Sequence, residues 1–337
     1  MNFQHAIPTL AQLGAFFKQQ AGEKPDVFHR AYVTNNWFTE EFVVKAVNAW
    51  ADELTEHKLK TWLSHYDTFP TPTPKTLAII MAGNIPMVGL HDLLSVLLCG
   101  HKAVVKLSDD DKVLMRWVID ALITINPEWE SRIEITTERL PKNFDAVIAT
   151  GSNNTNRYFE YYFKGKPSLL RKSRTSVAVL TGNETPEDYE KLGADIFTYF
   201  GLGCRNVSKL CVPKDYDIAL FYEGIASNYY HIDHHKYANN YTYHKAILLM
   251  NLTKHFDNNF LLLKPDDKIA SPLGVMYYEE YNTLDEVKEI IDTHKSEIQC
   301  VVSKQPFGNS VPFGKAQEPG LSDYADGVDT IKFLLEL

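Results

Sequence analysis

Short apolar runs alternate with longer helical stretches from Thr76 onward, and this rhythm carries most of the structural information in the chain. Leu77 to Met81 (LAIIM) is uniformly apolar and stops at Ala82-Gly83-Asn84. A helical stretch then runs to about Cys99, and Gly100 ends it. Ala103 to Leu107 (AVVKL) reads as the next strand, Met115 to Ile125 as a helix, and Ile133 to Ile135 as a short strand. Asp145 to Ala149 (DAVIA) and Val177 to Leu180 (VAVL) read as further strands. Buried strands alternating with helices predict an α/β protein with a parallel, doubly wound sheet, whose ligands sit beyond the carboxyl ends of the strands. Ahead of this pattern, residues 1–65 read as helical. Phe42 to Trp62 has apolar residues at helical spacing, and Thr39 suits a helix start. The Pro-rich FPTPTP at Phe69 to Pro74 reads as a linker or an extended arm.

A second unit is expected to begin near Thr181-Gly182-Asn183, with a helix from Pro186 to Phe200. Its strands are expected at Lys209 to Val212, Ala246 to Met250, Val275 to Tyr278 and Gln299 to Val302. The tail from Pro306 to Leu337 is rich in Gly and Pro up to Gly327, which suits a segment that folds back over a site.

With 337 residues, the chain is long for one small core and short for three domains. An apolar fraction of 45% and a charged fraction of 23% are those of an ordinary folded protein. The net charge of −9 argues against a nucleic-acid partner, which would require a basic face. The N-terminus does not read as a secretory signal, and no run approaches the length of a membrane span, so the expected location is cytoplasmic. The four cysteines, Cys99, Cys204, Cys211 and Cys300, include no CxxC pair, which disfavours both a disulfide framework and a thiolate metal site. Cys99, Cys211 and Cys300 stand in apolar runs and read as buried. The histidines at 231, 234, 235 and 244 lie among tyrosines without an HExxH arrangement and read as structural; no metal is expected.

Cys204 differs from the other cysteines. It lies in Phe200-Gly-Leu-Gly-Cys-Arg-Asn206, between an expected helix and an expected strand. Glycines at 201 and 203 permit backbone shapes that larger residues resist, and the neighbouring Arg205 would favour a thiolate. A small buried residue in a Gly-rich turn is the plainer reading of Cys204 alone.

The order of motifs resembles the aldehyde dehydrogenase superfamily, specifically its acyl-CoA reductase branch related to the bacterial luminescence reductase LuxC. The likeness runs from about Leu77 to Leu337. Its pieces are Gly83-Asn84-Ile85-Pro86, Val104-Val105-Lys106-Leu107-Ser108, Thr150-Gly151-Ser152, the segment ending in Cys204, and Val311-Pro312-Phe313-Gly314. The resemblance implies a Rossmann-type nucleotide-binding domain and a second α/β catalytic domain. It implies N-terminal helices and nucleotide-binding domain over 1–182, a catalytic domain with Cys204 over 183–304, and a segment returning to the active site over 305–337. It also implies that Cys204 is the nucleophile and that Asn84, with the Cys204 N–H, holds the oxyanion. Lys106 would contact the adenosine ribose with Ser108 beside it, and Gly151-Ser152 would meet the cofactor phosphates. For Lys106 the alternative is a charge reaching solvent, and for Ser152 a plain helix cap.

Oxidising aldehyde dehydrogenases carry a glutamate ahead of the cysteine that activates water. Here no Asp or Glu occurs between Glu160 and Glu184, a window that instead holds Lys164, Lys166, Arg171, Lys172 and Arg174. A thioester on Cys204 would then persist long enough to accept hydride. The basic window would also suit phosphates, with a solvated face as the alternative. A second departure is the lack of a glutamate around Ser271-Pro272-Leu273-Gly274. The likeness thus implies an oxidoreductase, a fatty acyl-CoA reductase forming an aldehyde with NADPH, and a homo-oligomer. NADH stays open because of the acids at Asp109 and Asp111. The rivals are an acyl-phosphate reductase of the same superfamily, a cysteine acyltransferase or thioesterase without hydride transfer, and a non-catalytic binding module.

Overall fold

The computed structural model describes residues 3–66, 73–136, 140, 143–308 and 310–337. Residues 69–72 of the Pro-rich stretch lie outside these. The described residues divide into two units, Met1–Ser173 with Gly320–Leu337, and Arg174–Pro319.

The first unit opens with four helices, α1 (Phe3–Glu23), α2 (Asp26–Thr34), α3 (Glu40–Glu53) and α4 (Glu56–Leu63). Thr39 starts α3 as expected, its side chain accepting the Phe42 N–H. Thr55 accepts the Lys58 N–H in the same way, so the Phe42–Trp62 stretch is two helices broken at Leu54. Each such cap contributes about 1 kcal/mol. Then follow β1 (Thr76–Ile80), α5 (Leu90–Leu98), β2 (Lys102–Lys106), α6 (Lys112–Ile125), β3 (Ile133–Thr136), β4 (Ala146–Thr150), α7 (Asn153–Tyr162) and β5 (Ser168–Arg171).

The strands form an all-parallel sheet in the order β3-β2-β1-β4-β5. The central strands are buried on both faces, which is why Leu77, Ala78 and Ile79, or Ala146 to Ala149, read as unbroken apolar runs. The order reverses between β1 and β4, which leaves a crevice beyond their carboxyl ends. Helix α5 is buried over nearly its whole length and ends where Gly100 turns left-handed at φ 79°.

The second unit contains β6 (Thr175–Val179), α8 (Pro186–Phe197), β7 (Val207–Pro213), α9 (Ile218–Gly224), α10 (His235–Met250), β8 (Phe256–Asp257), β9 (Leu262–Pro265), β10 (Val275–Tyr281), α11 (Leu284–Thr293), β11 (Ile298–Val302) and β12 (Ser310–Val311). Its sheet runs β12-β11-β6-β7-β10-β9-β8, parallel except for the β8–β9 pair. Three expectations change here. The VAVL strand belongs to this sheet, because β6 pairs with β7 and β11, so the division falls after Ser173 rather than after 182. Ala246–Met250 is the last part of α10 and not a strand. The 305–337 stretch does not stay in one piece: residues 305–319 remain with this unit, while Gly320–Leu337 rejoins the first.

That returning segment carries α12 (Thr330–Leu335). Asp92, a carboxylate on the buried helix α5, pairs with Arg171 at 2.7 Å, and Arg171 also donates to Thr330 Oγ1 at 2.8 Å. Trp62 Nε1 donates to the Tyr324 hydroxyl at 2.7 Å, and the Tyr66 hydroxyl donates to Asp329 at 2.9 Å. Among the described residues no helix is long and apolar enough to cross a membrane.

Candidate active site

In the second unit, α8 does not run on to Phe200. It ends at Phe197, and Tyr199 (φ 56°), Phe200 (φ 54°) and Gly201 (φ 83°) follow in the left-handed region. For Tyr199 and Phe200 this conformation costs roughly 1–2 kcal/mol each. Such strain persists only where the surroundings hold it. The Asn206 side chain supplies that hold: it is buried, its Nδ2 faces the carbonyls of Asp195, Ile196 and Thr198 at 2.7–3.3 Å, and its Oδ1 accepts the Gly203 N–H at 2.7 Å. Cys204 follows directly and is half-buried, whereas Cys99, Cys211 and Cys300 are buried, as their apolar runs suggested.

Beneath the loop, Ser176 Oγ donates to the Cys204 carbonyl at 3.3 Å and lies 3.1 Å from Cys300 Sγ. Asp195, with no exposed surface, accepts the N–H groups of Gly314 and Ala316 at 2.6 and 2.9 Å. Arg205 Nε donates to the Ala316 carbonyl. The Val311–Gly314 motif and its continuation are therefore tied to the two sides of the cysteine loop, and Arg205 is engaged with that tail. Phe197, Phe200, Leu261, Leu273 and Met276 line a small, mostly apolar cleft. Leu273 faces Gly201, where an added Cβ would meet its Cδ2 at 3.4 Å.

In the first unit, Asn84, Lys106, Ser108, Gly151 and Ser152 all lie just beyond or at the carboxyl ends of β1, β2 and β4. Asn84 is exposed and Lys106 half-buried. A Cβ on Gly83 would lie 2.4 Å from Ser108 Oγ, so the loops after β1 and β2 touch. Ser152 is the N-cap of α7 and accepts the Thr155 N–H at 3.2 Å. Asn156, fully buried, donates to the carbonyls of Gly151 and Arg171 at 2.9 and 2.7 Å and fixes the turn from β4 into α7. Asp111 is buried under the Asn84 loop, where one carboxylate oxygen accepts the Met87 N–H at 2.8 Å. Burial raises its pKa well above the ordinary carboxylate value. Gly83, Gly151, a cation at the end of β2 and the start of α7 fit the ribose and phosphates of a dinucleotide.

Four of the five residues of the basic window are engaged within their own unit: Arg171 is sealed against Asp92, Lys172 pairs with Glu160, Lys166 reaches the Phe144 carbonyl, and Arg174 donates to the Ile298 carbonyl. His231 is buried, with Nδ1 2.9 Å from the Asn228 carbonyl, and among the described residues no His, Cys, Asp or Glu cluster could hold a metal. Asn206, Asp195 and Asn156 carry no functional signal in the sequence, and Asp111 is marked there only as an acid bearing on cofactor choice. Each is a polar residue whose partners are backbone groups, so no pairing pattern marks it.

Solved aldehyde dehydrogenases share this architecture. The structure of aldehyde dehydrogenase 21 from Physcomitrella patens, in complex with the product succinate, matches with a TM-score of 0.71 over 100% of this chain and 84% of that one, at 10% identity. An aldehyde dehydrogenase from Mycobacterium tuberculosis complexed with NAD+ matches with a TM-score of 0.64 over 90% of this chain and 73% of that one, at 12% identity. The fold is thus that of an aldehyde dehydrogenase. Residues 36–221, more than half the chain, match the acyl-CoA reductase (LuxC) family, and the chain belongs to that family. A long-chain acyl-protein thioester reductase from Aliivibrio fischeri is 23% identical over 148 residues, 40% of this chain and 30% of that protein. The match therefore spans less than a third of that relative.

Proposed function

We propose that the protein reduces an acyl-CoA thioester to the aldehyde with a nicotinamide cofactor, by way of an acyl-enzyme on Cys204. The observation that carries this reading is the Tyr199–Cys204 loop: a strained, tightly held backbone presenting the one cysteine among the four that is not buried. The Cys204 thiolate attacks the thioester carbonyl carbon, the bond from that carbon to the CoA sulfur breaks, and CoA leaves. Asn84 is assigned by resemblance to the oxyanion. When bound, the nicotinamide would supply the hydride that turns the acyl carbon into a thiohemiacetal alkoxide. Breaking of its bond to Cys204 would then release the aldehyde and return the thiolate.

The lack of any acid between Glu160 and Glu184 supports reduction over hydrolysis. The fatty character of the acyl group is assigned by resemblance. Lys106, Ser108, Gly151 and Ser152 are assigned to the cofactor, NADPH by preference with NADH as the alternative. The tail around Phe313 is assigned to the acyl site through its ties to Asp195 and Arg205. A second reading keeps the chemistry and changes the carrier: the A. fischeri relative's name makes a protein-bound thioester a candidate substrate.

The test is oxidation of NADPH and NADH by purified protein offered acyl-CoAs of increasing chain length, with Cys204→Ala alongside. Acyl-CoA-dependent oxidation that vanishes in the variant is expected. Release of CoA without cofactor consumption would replace the reductase by a transferase or thioesterase, and turnover of an acyl phosphate alone would point to that reductase class.

A further inference from the structure

We propose that Asn206 is a positioning residue for the nucleophile, setting the conformation in which Cys204 is presented. The inference rests on the reading of Cys204 as the attacking group and deepens it. A helix leaves its last carbonyls without intrahelical partners. At the end of α8 the chain cannot satisfy them by running on, since Tyr199, Phe200 and Gly201 turn left-handed. The Asn206 amide fills this gap from beyond the cysteine. Its Nδ2 donates to Thr198 O at 2.7 Å, with Ile196 O and Asp195 O at 3.2 and 3.3 Å, and its Oδ1 takes the Gly203 N–H at 2.7 Å.

One side chain thus binds both limbs of the turn whose next residue is Cys204. Neither half of the amide is dispensable: the nitrogen holds the limb entering the turn and the oxygen the limb leaving it. Aspartate would keep the acceptor for Gly203 but would set a carboxylate against three carbonyl oxygens. Leucine or alanine would supply neither. The carbonyl of Asp195, one of the three, belongs to the residue whose carboxylate holds Gly314 and Ala316, so the same node also fixes where the tail begins its passage beside the loop.

The experiment compares wild type, Asn206→Ala, Asn206→Asp and a stability control, Val287→Ala, which opens the buried core of the same unit away from the loop. The readouts are the rate of Cys204 alkylation by iodoacetamide without substrate, kcat and KM for the acyl-CoA, and Tm. For Asn206→Ala the expected result is at least a tenfold fall in both alkylation rate and kcat, with KM moving less than threefold. Val287→Ala, at equal or greater loss of Tm, keeps both rates within about twofold. Asn206→Asp is expected to recover kcat, relative to wild type at the same pH, as the pH is lowered and the new carboxyl gains a proton to donate. Equal losses in Asn206→Ala and Val287→Ala would reduce Asn206 to a stability residue and overturn the inference. So would a flat relative pH profile for Asn206→Asp, which also decides the matter should Asn206→Ala fail to fold. If Cys204→Ala retains full activity, the nucleophile assignment fails first; if it is inactive while Asn206→Ala matches wild type, the positioning role alone fails.

Discussion

Gly83 and Ser108 approach so closely that a methyl group on Gly83 would lie 2.4 Å from the Ser108 hydroxyl oxygen and 2.7 Å from its Cβ. The loops after β1 and β2 can adopt this contact only because one partner has no side chain. Gly83→Ala is expected to push the loops apart and raise the KM for the nicotinamide cofactor several-fold. Ser108→Ala should not relieve it, because the Cβ remains; Ser108→Gly should. Kinetics of the four variants in a double-mutant cycle would measure the coupling, and additive effects would refute the contact as the cause.

Asp111 supplies a pH signature. Burial raises its folded-state pKa above 3.8, against the opposing Met87 N–H bond. From pH 3.8 upward the native state therefore keeps a proton that the unfolded chain has released. Stability contributed by this group is full below that pH and is lost as pH rises toward the folded value. Asparagine keeps the shape and the acceptor for Met87 but does not titrate. Asp111→Asn should match wild type near pH 4 and gain in Tm over it on moving to neutral pH. A Tm difference that shrinks over that range would contradict this sign.

The Arg171–Asp92 pair is buried on both sides. Removing one partner leaves a charge without compensation, so Arg171→Met alone should cost about 3–5 kcal/mol in denaturant unfolding. Replacing both, with Asp92→Leu added, should recover most of it. The single variant also frees Thr330 from its donor, so protease sensitivity in the 320–337 segment should rise with it.

The four cysteines give a count that can be checked without any substrate. Burial raises the pKa of Cys99 and pushes the Cys211 thiol to about 12, and Cys300 is 2% exposed. Iodoacetamide at mild pH should add one equivalent, at Cys204, with loss of reductase activity. Further labelling should require denaturant. Labelling of Cys300 at a comparable rate, read by peptide mass spectrometry, would sink this ranking.

The buried strands were legible because double-sided burial writes itself as an apolar run, as in Leu77–Met81 and Asp145–Ala149. What such a run does not encode is the sheet it joins: Val177–Leu180 resembles its neighbours in sequence, and only its hydrogen bonds to β7 and β11 assign it to the second sheet. Ala246–Met250 is an apolar run of strand length, but its Ala, Leu and Met are good helix formers and it closes a helix whose start at His235 lies among aromatic residues with no apolar stripe. The tight turn ahead of Cys204 was legible through its glycines. Asn206 was not, since a polar residue after a glycine-rich turn carries no sign that it will reach back to carbonyls as far away as Asp195.

The route of the chain orders its assembly in time. The first unit is discontinuous: it leaves off at Ser173 and is completed by Gly320–Leu337, with all of the second unit in between. A ribosome therefore releases the entire Arg174–Pro319 stretch before the first unit can receive α12, and until then Arg171 waits without Thr330 and Tyr66 without Asp329. The second unit, being continuous, can close on its own as it emerges. The unit that comes first in sequence is thus the last to be finished.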